Sequence, residues 1–238
     1  MNETAITNPW SQLPRKAPYQ VPSDAEFIQK INGQYKNTDP LKIHFELLPE
    51  PYIGRHDAPV VLLGLNPGFD EMDEQAHANP SFRRKSRANL MQTAKDYPFF
   101  LLDPSLHFAP GHHWWRRKLK PLMDALNDPS GVITANHVLC VELFPYHSKR
   151  CPSLRRIADL PSQQYSFDVV RQAIERDALV LIMRGTRQWV DAIPKLRDYG
   201  YKEAATSPQN PVINEKQFKK LFKKVITRLR DCQEKAKH

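Results

Sequence analysis

Val60-Val61-Leu62-Leu63 is an unbroken apolar run between Pro59 and Gly64. Such a run reads as a strand buried on both faces inside a parallel sheet, and the pattern predicts it over Val60 to Leu65. It stops at Asn66-Pro67-Gly68, where proline fixes one backbone angle and glycine frees another, so the chain must turn sharply. Two further apolar runs, His137 to Phe144 and Ala178 to Met183, predict strands of the same kind.

Between these runs the apolar positions recur at helical spacing. Ser23-Asp24-Ala25-Glu26 has the form of a capping box, opening a short helix through Ile28 and Ile31. Trp115, Leu119, Leu122, Met123 and Leu126 share a helical face that Pro121 is expected to kink or restart. Helices are also predicted over Ser166 to Arg176 and Thr186 to Leu196, the latter ended early by Pro194. A last one runs from Glu215, with Phe218, Leu221, Phe222, Val225 and Leu229 as its stripe. Leu41 to Leu48 reads as an extended segment and Ala204 to Asn214 as a proline-punctuated loop. Strands alternating with helices predict an α/β fold, a three-layer α/β/α sandwich around a central, mostly parallel sheet.

Two segments fall outside this alternation. Residues 1–22 carry Pro9, Pro14, Pro18 and Pro22 with little periodicity, and read as a leader wrapped on the surface or disordered. Residues 23–238 then form a single domain with an irregular insertion at about 69–113, of the kind that serves as a lid or substrate loop. No apolar run approaches the ~20 residues of a membrane span. The N-terminus has no charged-then-apolar leader, so the expected protein is a soluble, cytoplasmic monomer.

Charge adds a partner. Thirty-five Lys and Arg against 26 Asp and Glu give a net charge of +9. The excess gathers at Arg83-Arg84-Lys85-Ser86-Arg87, Arg116-Arg117-Lys118, Lys149-Arg150 with Arg155-Arg156, and the lysine-rich tail. A basic balance of this kind suits a polyanion, DNA above all, although for the tail a solvated surface is the simpler reading. The three cysteines, Cys140, Cys151 and Cys232, are too few and scattered for a disulfide framework. His112, His113 and His147 show no known metal-ligand spacing, so neither metal nor cofactor is expected.

The predicted strand ends deliver polar groups to one edge of the sheet, where open α/β sheets bind ligands. These are Asn66-Pro67-Gly68, Glu142 with Pro145-Tyr146-His147, and Arg184-Gly185. In this order Gly64-Leu65-Asn66-Pro67-Gly68 resembles the first motif of the uracil-DNA glycosylase superfamily, in the form of its mismatch-specific and single-strand-selective branches. Ser207-Pro208-Gln209-Asn210-Pro211 is similar to the second motif of the single-strand-selective branch. His113-Trp114-Trp115 with Leu119 resembles the helix between them, and Val141 to Pro145 lies where the family has its base-reading strand. The resemblance covers roughly residues 40 to 230.

It implies hydrolysis of the N-glycosidic bond of a flipped base in DNA, chemistry that needs a positioned water, a partner for the departing base anion and an aromatic to stack on it. On this resemblance Asn66 is catalytic and places the water, while Phe69 stacks on the base and Glu142 and His147 face it. Ser207, Gln209, Asn210 and Arg184 contact the DNA, and Val212 or Ile213 wedges into the gap the base leaves. Two positions depart from the family pattern: Ala205-Thr206 stands where it begins with His-Pro, and Glu142 where it has an asparagine. An amide both donates and accepts, whereas an ionised carboxylate only accepts. Glu142 therefore suits a base offering two donors, or marks a catalytically silent nucleic-acid- or nucleotide-binding module of the same fold. Other roles stay open too. Asn66 caps its own turn in one reading, and Glu142 pairs with Arg184 or Arg187 in another.

Overall fold

In the computed structural model, which describes residues 7–152 and 160–235, the apolar runs pair into one five-stranded sheet. Its strands are β1 (Tyr52–Ile53), β2 (Val60–Leu63), β3 (Val138–Val141), β4 (Leu179–Ile182) and β5 (Lys202–Ala204), in the order β1-β3-β2-β4-β5. Only β1 is antiparallel; β3, β2, β4 and β5 run parallel. The three central strands are fully buried, as their unbroken apolar character demands. Both two- and three-residue edge strands escaped the sequence pattern, being too short to show a period. Leu41 to Leu48, expected to be extended, joins no strand.

Helices cover both faces of the sheet. On one side Val61, Leu63, Leu139, Val141, Val180 and Ile182 meet α1 (Ala25–Asn32), α6 (Pro161–Glu175) and α7 (Thr186–Ala192), through residues such as Ile28, Phe167, Val170 and Trp189. On the other side Val60, Leu62, Val138, Cys140, Leu179 and Leu181 meet α4 (Pro110–Leu126), α5 (Val132–His137) and α8 (Phe222–Lys235), through Leu119, Leu122, Ala135, Val225 and Leu229.

Several expectations change. Residues 69–113 are not an irregular insertion. They fold into α2 (Glu71–Ala78) and α3 (Pro80–Leu90), followed by a buried turn at Phe100–Leu102 and a second at Pro104–Leu106 that buries Leu106. Asp70 caps α2, accepting from Met72 N at 2.9 Å, while Asp73 returns the bond to Asp70 N at 2.7 Å. This acidic capping box satisfies donors that a helix start otherwise leaves open. Asn79 caps α3 in turn. Helix α4 runs unbroken through Pro121, because a proline removes one backbone bond while Trp115, Leu119, Leu122, Met123 and Leu126 hold the helix to the core. The final helix begins at Phe222 rather than Glu215.

Helix α1 forms as predicted, but Asp24 does not cap it. Its carboxylate is fully buried, accepting from Tyr146 Oη at 2.8 Å, Ser162 N at 3.0 Å and Ser162 Oγ at 2.5 Å. The described part of the leader is also ordered against the core. Trp10, Leu13, Tyr19 and Val21 are buried in it, and Asn8 Nδ2 donates to Leu90 O at 2.8 Å. Residues 1–6, the Arg155-Arg156 pair and the last three tail residues lie outside the described residues. Among the described residues no helix is long and apolar enough to cross a membrane.

Candidate active site

Register brings the polar turns together. Leu63 pairs with Val141 on one side and Ile182 on the other, so β2, β3 and β4 end level. The chain leaves β2 toward the face covered by α4 and leaves β3 toward the face covered by α6. Neighbouring strands whose connections part in this way open a crevice beyond their carboxyl ends. A cavity of about 480 Å³ lies there, lined among others by Glu50, Asn66, Phe69, Asp73, Trp114, Arg117, Glu142, His147, Lys149 and Arg184.

Asn66 is held by three oxygens. Its Nδ2 donates to Pro67 O at 2.8 Å, and to Ser148 O and Ser148 Oγ at 3.1 Å each. Carbonyl oxygens only accept, so they fix which end of the amide is nitrogen. No described residue donates to Oδ1, leaving it as an acceptor in the cavity wall. The turn itself is tied across the crevice by Ser148 N to Pro67 O at 3.3 Å.

Glu142 stands opposite, 7% exposed. Its Oε1 accepts from the Cys140 thiol at 3.6 Å, and its buried Oε2 has no partner among the described residues. Burial pushes the carboxyl up to about 7, against the pull of Cys140, Arg184 and the Leu65 backbone N–H. The carboxylate lies directly over Gly64, so closely that a Cβ there would sit 2.1 Å from Oε2. Glu50 shares the wall, and burial together with Asp73 and Glu142 raises it to about 8. Asp73 is raised to about 6, again chiefly by burial.

The remaining expected residues divide. Phe69 lines the cavity half-buried, with His44 stacked on one face at 3.4 Å between ring centroids and Lys149 Nζ 5.7 Å from its centroid. A base stacking on the second face has to move Lys149. His147 lines the cavity too, but its nitrogens face Gly68 O at 2.7 Å and Leu48 O at 3.0 Å. It fastens the turn to the segment before β1 and is not free to read a base. Burial draws it down to about 4, although both carbonyls favour the protonated ring.

Arg184 reaches the rim and donates to Gln209 O at 2.6 Å. Ser207, Gln209 and Asn210 are exposed on the adjoining loop. Ile213 is fully buried in the core beside α4 and cannot wedge into DNA, because its apolar side chain completes that layer; Val212 is half-buried. Within the Arg83 to Arg87 cluster, Lys85 pairs with Asp103 and Arg87 donates to Pro14 O at 2.5 Å. That leaves fewer cations for a phosphate than the sequence suggests.

Sequence reasoning missed Glu50, Ser148, His77 and Lys118. Glu50 carries one weak signal, an acid enclosed by Pro49 and Pro51. Lys118 is buried on α4, its ammonium bonded to Asn210 Oδ1 and 5.0 Å from the centre of the Trp114 ring, with burial lowering it to about 8. It pins the Ser207 to Pro211 loop to the helix.

Glu50, His77 and His147 also lie close enough together to suggest a metal. Their hydrogen bonds argue against one. His77 Nδ1 accepts from Leu48 N at 2.9 Å, which places the neutral ring's proton on Nε2, and both His147 nitrogens face carbonyls. Neither ring turns a free lone pair to a shared centre. Comparison with known protein families, curated proteins and solved structures finds no match to this chain.

Proposed function

We propose that this protein is a DNA glycosylase-like hydrolase with a uracil-DNA glycosylase-type three-layer α/β/α fold, acting on a base flipped out of the stack. The observation that carries the reading is Asn66. Its nitrogen is locked by three acceptors, and its Oδ1 remains to take a hydrogen bond from water in a cavity at the strand ends. A water so held turns a lone pair toward the sugar C1′ of a bound nucleotide. As the N-glycosidic bond breaks, the sugar gains positive character and the base leaves as an anion; the water oxygen then bonds to C1′, and the proton it gives up ends on the base anion, which departs neutral. Arg184 and Glu50, the latter protonated below about pH 8, stand at the base side as cation and donor. The exposed Arg117 and Lys149 supply phosphate contacts, which position the strand without reading its sequence.

A second reading, a silent binder of DNA, draws on Phe69, whose ring already has His44 and Lys149 against it, and on Ala205, whose methyl offers no hydrogen bond to a departing base.

Single- and double-stranded oligonucleotides bearing uracil, hypoxanthine, xanthine or mismatched thymine, scored for alkali-labile sites, test the two. The expected result is base release that Asn66→Ala slows about a hundredfold or more, since misplacing a reacting group by an ångström costs that much. Release from no strand leaves only the binder; release unaffected by Asn66→Ala removes Asn66 from the chemistry.

A further inference from the structure

The cavity is polarised. Buried in its wall are two carboxyls, Glu50 and Glu142, and at its exposed rim stand Arg117 and Lys149, with half-buried Arg184 between. A ligand complementary to both ends carries an anion on one side and hydrogen-bond donors on the other. A nucleotide has that polarity when its base presents donors.

Which base follows from Glu142. One of its oxygens takes a long thiol bond, and the other, buried, takes no bond of good geometry among the described residues, although the Leu65 N–H also draws on the carboxylate. An unmade bond at a buried oxygen costs far more than an average hydrogen bond contributes, so the strongest ligand is one that fills both oxygens. Between about pH 7 and pH 8 Glu142 is ionised while Glu50 keeps its proton, and an ionised carboxylate accepts and does not donate. Uracil and hypoxanthine each set an oxygen beside one ring N–H, and adenine offers one amino group beside an acceptor. The guanine edge alone among these sets N1–H next to the N2 amino group, two donors for two carboxylate oxygens. It also carries O6, for which Glu50, held protonated by burial and by its acidic neighbours, is a donor. The volume of about 480 Å³ is in the range of small-molecule pockets.

We propose that the cavity recognises a guanine-type base, one that keeps N1–H and the N2 amino group, through the paired oxygens of Glu142, with the nucleotide's phosphate at Arg117 and Lys149. The inference rests on the hydrolase reading only in taking the cavity as a base pocket.

Equilibrium titration of the full chain at about pH 7.5 with dGMP, dIMP, dAMP and dUMP, followed by tryptophan fluorescence, to which Trp114 in the cavity wall contributes, or by calorimetry, tests it. dIMP lacks only the N2 amino group, so dGMP is expected to bind at least about tenfold more tightly, the worth of one hydrogen bond to a charged acceptor. In Glu142→Gln, which offers one donor and one acceptor in the same shape, that preference should vanish or invert toward dIMP and dUMP. Equal affinities for dGMP and dIMP, no dGMP binding, or a preference that survives Glu142→Gln overturns the proposal. Should that variant not fold by circular dichroism, the wild-type ratio decides alone. A dGMP preference with no base release from any strand, one bearing 8-oxoguanine (which keeps N1–H and the N2 amino group) included, removes the hydrolase and leaves the guanine pocket. Release from uracil strands without a dGMP preference does the reverse.

Discussion

An alanine at position 64 would place its Cβ 2.1 Å from Glu142 Oε2 and 2.5 Å from Oε1, well inside van der Waals contact. The glycine of the strand-end turn is thus required by the carboxylate lying over it, not by its own backbone angles. Gly64→Ala is expected to destabilise the fold by about 1–3 kcal/mol, as overpacking of a filled interior does, measurable by chemical denaturation. Truncating the opposing group in Gly64→Ala/Glu142→Ala should recover part of that loss, because groups in contact are not additive. An unaltered midpoint in Gly64→Ala would show that Glu142 swings away at no cost. At this scale the sequence disclosed Asn66 and Glu142, since a polar group just after an apolar run must lie at a strand end. It hid Glu50, whose burial depends on segments far away in the chain, and it misjudged Ile213 and His147 for the same reason.

The segments that looked least regular are held by single anchors. Residues 7–22 have no periodicity, yet Trp10 is 1% exposed beside Tyr146, with their rings 6.1 Å apart and edge-on. Trp10→Ala should cost about 3–5 kcal/mol, the usual range for emptying a large aromatic site. It should also raise proteolytic cutting in this segment. A loss below about 1 kcal/mol would mean that the segment adds little to the core. Helices α2 and α3 escaped prediction because α2 is eight residues long with only Ala76 and His77 buried, too little for a periodic stripe. Their definition comes from side-chain caps at Asp70 and Asn79. Pro121 misled in the opposite direction, since local propensity gives way when five neighbouring side chains are packed.

Across the whole molecule the buried acids make stability depend on pH. Glu50 and Glu142 have an ordinary value of 4.5 but ionise in the fold only near about 8 and about 7. The folded chain therefore keeps protons that the unfolded chain has released, and stability falls as pH rises through these values. His147, lowered from 6.5 to about 4, acts oppositely: its contribution is present above 6.5 and lost as pH falls toward 4. The two oppose each other below 6.5, whereas between about 6.5 and 8 the carboxyls dominate, opposed only as pH nears 8 by Lys118, lowered from 10.5 to about 8. Thermal unfolding should accordingly shift to lower temperature from pH 6.5 to pH 8, and Glu50→Gln should flatten that slope. A melting temperature that holds or rises over the interval contradicts the burial assigned to these two groups.

From the sequence alone came the α/β class, the three central strands, all but α5 of the helices packed on them and the sharp turn at Asn66. Each follows from short-range rules, the spacing of apolar residues and the fixed angles of proline, which act within one segment. The shape of the site needed the tertiary structure. The level ends of β2, β3 and β4, the carboxylate of Glu142 over Gly64, the arrival of Glu50 beside it and the occupation of His147 by two carbonyls all join residues distant in the chain. Only packing decides which polar groups lose their water, and that loss sets which oxygen stays unpaired and which acid keeps its proton.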